Sequence, residues 1–160
     1  LEPIYRDTKT AVFQMPHAYP RVLTPSRAEL IPMGQSLSPA SFATPDFAST
    51  VLLTPRDAND AATAATDATR CTGQVAIRST ASTNIQTTVQ TAASSAGWLV
   101  ITDQDFPGWI TRVDGRETGH HRADGLLRAV CVPAGEHTVT FRYEPWRMVA
   151  QVLESEASWQ

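Results

Sequence analysis

The chain has 160 residues, 42% of them hydrophobic and 18% charged, with a formal net charge of −3. This fits one domain, or one domain with a small extra lobe, and excludes both a set of membrane spans and a solvated tail. The negative balance also argues against a partner whose phosphates need neutralising, nucleic acid above all.

Leu, Ile, Val and Phe make up only 33 of the 160 residues, little above the level a compact core requires, so the core must come from short, dense segments. The chain begins at Leu1 without a Met, and the expectation is a fragment or a processed product. No apolar run approaches the roughly 18 residues that cross a bilayer, and the first fifteen residues lack the apolar stretch of a signal peptide.

Residues 1–56 carry eight of the eleven prolines and read as short extended pieces broken by turns. Ala11 to Met15 and Ser49 to Thr54 hold enough Val, Leu and Phe for short strands. Ser38-Pro39 offers a helix start, so Ala40 to Phe47 is expected to hold one helical turn. Residues 57–72 form a separate low-complexity unit. Its stretch DANDAATAATDATR contains no large apolar residue and buries too little to offset its ordering entropy. A mobile loop is the expectation, and a short Ala-rich helix, marginal in isolation, is the alternative.

From Gly73 the pattern turns to β and continues to residue 147. Val75 and Ile77, then Ile85, Thr87 and Val89, then Val139, Phe141 and Tyr143 alternate with smaller or polar neighbours. Period two marks strands with one buried and one wet face. Trp98 to Thr102 is apolar on both faces, and Trp109 to Val113 and Leu126 to Val132 complete the strand set. Asp114-Gly115 predicts a hairpin, Asp124-Gly125 a second turn, and Pro133-Ala134-Gly135 links the last two strands. The fold class that follows is all-β: an antiparallel sandwich, jelly-roll or Ig-like, with an irregular Pro-rich N-terminal part packed on it. Residues 148–160 are a tail or a short amphipathic helix with Val149, Val152 and Leu153 on one face.

Cys71 and Cys131 lie too far apart in sequence for a metal motif. They are either one disulfide or two half-buried thiols, with the thiols as the default. Phosphate loops, nucleophile elbows and zinc-helix motifs are all absent from the sequence. His120-His121 is the only histidine cluster, and neighbours on a strand point to opposite faces, so no metal or other cofactor is expected. Asp103 and Asp105 admit acid–base work or cation binding, although Asp is also a common turn residue. Trp98 reads as core. Trp109, at the start of a strand, is the better surface aromatic but still reads more readily as core, and Trp146 suits an edge or an interface. Arg128 shares a face with Leu126, Val130 and Val132, which calls for a partner such as Asp103 or Glu144.

Gly97-Trp98-Leu99-Val100-Ile101-Thr102-Asp103 followed by Phe106-Pro107-Gly108-Trp109 resembles a segment of YfhO-type bacterial membrane proteins. The likeness runs on through Val113-Asp114-Gly115, Arg122-Ala123, Leu127-Arg128-Ala129-Val130 and Pro133-Ala134-Gly135-Glu136-His137 to Phe141-Arg142-Tyr143-Glu144-Pro145-Trp146. A weaker likeness covers Pro3-Ile4-Tyr5, Val12-Phe13 and Tyr19-Pro20-Arg21-Val22. The chain departs from the family at His120-His121 and Asp124-Gly125, where an apolar-aromatic stretch is usual, and after Trp146, where a membrane helix commonly follows.

That family is related to membrane glycosyltransferases that use polyprenyl-phosphate sugars. The resemblance implies an extracytoplasmic domain at the face of a bacterial cell membrane, whose partners are the transmembrane portion of its parent and a polysaccharide or lipid-linked sugar. The family's catalytic acids lie in a loop between early membrane helices, so the domain by itself is not expected to be an enzyme. Trp109, Asp103, Asp105, His120, His121 and Arg122 come from turns expected at one end of the sandwich and are the candidate carbohydrate ligands. Two other readings are a structural or protein-interaction module with an exposed apolar patch, and a sandwich hydrolase, which would need a carboxylate pair with one raised pKa.

Overall fold

The computed structural model describes residues 3–14, 18–35, 37–42 and 46–149. The described strands are β1 (Pro3–Arg6), β2 (Ala11–Phe13), β3 (Val22–Leu23), β4 (Arg27–Leu30), β5 (Thr50–Leu53), β6 (Val75–Ser82), β7 (Gln86–Ala93), β8 (Gly97–Ile101), β9 (Trp109–Val113), β10 (Arg116–Thr118), β11 (His121–Ala123), β12 (Leu127–Val132) and β13 (Gly135–Tyr143). The helix α1 spans Ala58–Arg70. A 3-10 turn covers Pro39–Phe42, overlapping the start of the Ala40 to Phe47 stretch expected to hold a helical turn, of which 43–45 lie outside the described residues. No described helix is long and apolar enough to cross a membrane.

The strands form a five-stranded sheet in the order β10-β9-β13-β7-β6 and a six-stranded sheet in the order β3-β8-β12-β11-β5-β4. β1 and β2 form a separate hairpin. The two larger sheets make the sandwich, closed by Val22, Leu99, Ile101, Val130 and Val132 from one side and Val75, Val89, Val139 and Phe141 from the other. The six-stranded sheet has a second covered face. There Trp98, Val100, Ala129 and Cys131 pack with Leu23, Val51 and Leu53 around Ala64 of α1. β8 is buried along its whole length because its alternate residues serve these two cores.

Three observations differ from the sequence reading. Residues 57–70, expected as a mobile loop, form α1. The Asp57 side chain caps it by accepting the Asp60 N–H at 2.8 Å, and such a cap contributes about 1 kcal/mol. Alanine is the best helix former, and its small side chains let α1 lie close on the sheet. Cys71, at the end of α1, is joined to Cys131 of β12 in a disulfide, with Cα atoms 5.9 Å apart, where free thiols were the default. This bond closes a loop of 60 residues, worth roughly 4 kcal/mol on a chain-entropy model.

The sheets are also not wholly antiparallel, since β4 runs parallel to β5 over Arg27–Leu30 and Thr50–Leu53. Parallel neighbours need a long crossover, and the Pro-rich segment 31–49 supplies it. β3, β4 and β5 of the 1–56 segment thus belong to the six-stranded sheet itself.

The alternation in β6 is only partly used. Val75 is buried, but the rest of the strand is exposed because β6 is an edge strand of its sheet, and Ile85 is exposed in the turn beyond it. The Asp-Gly turns take the expected conformation, with φ of +51° and +78° at Asp114 and Gly115 and +50° and +80° at Asp124 and Gly125. At the C-terminal end, 145–149 are helical. The amphipathic pattern through Val152 and Leu153 lies outside the described residues.

Candidate functional site

β9 begins after Phe106-Pro107-Gly108, and the local geometry depends on Gly108. It holds φ +101°, and a Cβ there would come within 2.7 Å of the Tyr143 ring. The Gly108 carbonyl also accepts the Glu144 N–H at 2.7 Å. This tight approach gathers three rings, with Phe106 and Trp109 centred 5.2 and 5.5 Å from Tyr143 and 5.9 Å from each other. The Arg128 guanidinium lies over Trp109, 3.8 Å from its ring centroid. Trp109 is therefore half-buried and occupied on a face, while Phe106 remains 41% exposed.

β11 and the residue just before it supply the polar side. His121 and Ala123 are buried on the α1 side, whereas His120 and Arg122 turn to Asp105. The Asp105 carboxylate is the hub. Arg56 Nη2 donates to it at 2.5 Å and His120 Nε2 at 3.1 Å, with Arg122 Nε 3.5 Å away. Arg56 also donates to the His120 carbonyl at 3.2 Å, and His120 Nδ1 meets the Thr111 hydroxyl at 3.1 Å. Burial works to raise the Asp105 pKa, but hydrogen bonds from His120 and Arg56 outweigh it and hold the carboxyl at about 2. A carboxylate so fully committed is a poor proton acceptor for chemistry.

Around this hub lies a cleft of about 250 Å³, walled by Phe106, Pro107 and Trp109 on one side and by Arg56, His120 and Arg122 on the other. It combines an exposed aromatic with guanidinium donors of which Arg56 and Arg122 are partly open to solvent. Its chemistry is that of a hydrogen-bonding site with one apolar wall.

The structure thus brings together Trp109, Asp105, His120 and Arg122 of the six sequence candidates. Asp103 lies apart, 2.8 Å from Arg21 and 3.7 Å from Arg128. His121 faces α1, with its two ring nitrogens each 3.0 Å from a carboxylate, Asp60 and Asp67. Arg128 takes Asp103 as its ion partner and donates to the Gln104 carbonyl at 2.6 Å. Glu144 pairs instead with Arg112 and Arg147. Among the described residues the potential metal ligands that converge are Asp67, Cys71 and Cys131, and both sulfurs are spent in the disulfide.

Arg56 and Phe106 escaped the sequence reading. Phe106 stood beside Trp109 in the quoted Phe-Pro-Gly-Trp run, whereas nothing in the sequence ties Arg56 to Asp105. Comparison of the chain with protein-family models, curated proteins and solved structures finds no match.

Proposed function

We propose that this chain is a non-catalytic extracytoplasmic accessory domain of a YfhO-type membrane protein, one involved in cell-envelope polysaccharide or lipid-linked sugar transfer. In this reading it holds carbohydrate in the cleft between β9 and β11. The observation that carries the proposal is the exposed Phe106 ring facing Arg56, His120 and Arg122 across one cleft. A sugar ring presents an apolar face that packs on an aromatic and hydroxyls that take donors at its edge. The disulfide accords with an oxidising compartment outside the cytoplasm. The chained Gly97 to Trp146 motifs are what suggest the parent.

Phe106 is the residue to test, because removing Trp109 would also strip the buried Arg128 of its ring. Calorimetric titration of the domain with soluble oligosaccharides is expected to show binding that Phe106→Ala weakens about tenfold, or about 1.4 kcal/mol. A wild-type domain that binds no saccharide, or a variant that binds as well as wild type, contradicts the reading.

A protein-interaction module is the second reading, favoured by Ile4 at 66% exposure in the β1–β2 hairpin and Trp146 at 58%. It predicts concentration-dependent self-association in sedimentation velocity. A monomer at all concentrations counts against it.

A further inference from the structure

Asp124 sits in the turn between β11 and β12 and is 7% exposed. Its N–H donates to the Leu52 carbonyl at 2.7 Å, and its Oδ1 accepts the Leu52 N–H at 2.8 Å. These two bonds fix the turn to β5 and use one carboxylate oxygen. The other, Oδ2, takes no hydrogen bond or ion pair among the described residues and remains open to solvent.

Asp124 also lines a cleft of about 220 Å³ whose remaining walls are Tyr19, Leu23, Phe47, Thr102, Leu126 and Leu127. These walls are almost wholly apolar, with the Tyr19 ring packed edge-on to Phe47 at 6.2 Å. Tyr19 and Leu126 are half exposed, so the cleft opens to solvent. Asp124 has no ion pair among the described residues, and Arg21, Arg128 and Arg122 are engaged elsewhere, the first two with Asp103 and the third with Asp105. Burial pushes the Asp124 carboxyl up to about 6, against the Leu52 hydrogen bond, which leaves it largely ionised at neutral pH.

A carboxylate on apolar walls, with one oxygen open to solvent and unused by the protein, is matched by a positive partner or a donor. Apolar walls exclude a heavily hydroxylated ligand, and the carboxylate repels an anion. The cleft is smaller than a drug-sized site, so it takes one compact group. We propose that the Asp124 cleft binds a small organic ammonium ion with an apolar body, the walls covering the body and Oδ2 accepting from the ammonium. This site is separate from the Phe106 cleft and does not depend on the carbohydrate reading.

The test compares 2-phenylethylamine with 2-phenylethanol, a neutral analogue of nearly the same shape, on the whole chain by NMR titration at pH 7.5. The wild type is expected to bind the amine at least about tenfold more tightly, since a charge-assisted bond to a buried carboxylate is worth over 1.4 kcal/mol. The shifts should centre on Asp124, Leu126 and Tyr19. Asp124→Asn keeps a carbonyl oxygen for the Leu52 N–H and tolerates the positive φ, so it folds, and it is expected to bind the two probes alike. Equal binding of the probes by wild type, binding of neither, or a preserved amine preference in Asp124→Asn each overturns the proposal.

Discussion

Asp105 and Asp124 are both buried carboxylates, yet their surroundings move them in opposite directions. Asp105 meets two guanidinium groups and an imidazole and is held at about 2, while Asp124 meets one backbone N–H and rises to about 6. Both start from an ordinary value of 3.8. The depressed Asp105 stabilises the fold above about pH 4 and loses that contribution, on the order of 2 kcal/mol, as pH falls towards 2. The raised Asp124 acts oppositely: the folded state keeps a proton that the unfolded chain releases, so stability falls as pH rises from 4 through 6. Asp124→Asn removes this second slope. The variant is expected to equal wild type at pH 4 and to exceed it by about 2–3 kcal/mol at pH 7 in urea unfolding, one pKa unit being 1.36 kcal/mol. Wild-type and variant curves that stay parallel from pH 4 to 7 would show that burial of Asp124 is not what the fold opposes.

At the scale of elements, α1 depends on partners distant in sequence. Its Asp57 cap and alanine content favour a helix, but thirteen residues are marginal alone. The fold adds Ala64 in the core, the disulfide at Cys71, and His121 reaching both Asp60 and Asp67 along one helix face. His121→Ala removes both contacts, leaving Asp60 and Asp67 only their arginine partners Arg56 and Arg70 among the ion pairs of the described residues. Amide protons of α1 are expected to exchange at least tenfold faster in this variant, with β7 and β13 unchanged. Unchanged exchange in α1 would mean that its packing alone suffices.

This dependence explains why the loop expectation for 57–70 failed: the residues that order the segment are Cys131 and His121, and no local pattern reveals them. By contrast, Val139 and Phe141 of β13 and the doubly apolar β8 were legible, because burial on one face or on two leaves a direct imprint on residue order. The parallel β4–β5 pairing left no such imprint. β4 is a largely exposed edge strand placed by backbone hydrogen bonds, which any residue except proline can make.

For the whole molecule, the six-stranded sheet is the organising element, with α1 on one face and the five-stranded sheet on the other. The proposed carbohydrate cleft draws on both sheets, with Trp109 on the five-stranded sheet and His120 and Arg122 at and just before β11, an inner strand of its partner. Asp105, Trp109, His120 and Arg122 were legible as turn-borne polar and aromatic residues. Asp103 and His121 shared that signal, but Asp103 pairs with Arg21 from the loop after β8, and strand alternation turns His121 to α1. Arg56 became visible only once β5 and α1 brought the chain beside Asp105.

The central claim is that this junction holds a sugar. The most direct test is a two-dimensional NMR titration of the isotope-labelled domain with soluble oligosaccharides. The account predicts saturable shifts confined to Arg56, Phe106 to Trp109, and His120 to Arg122. Shifts centred elsewhere, or none at all, would contradict it.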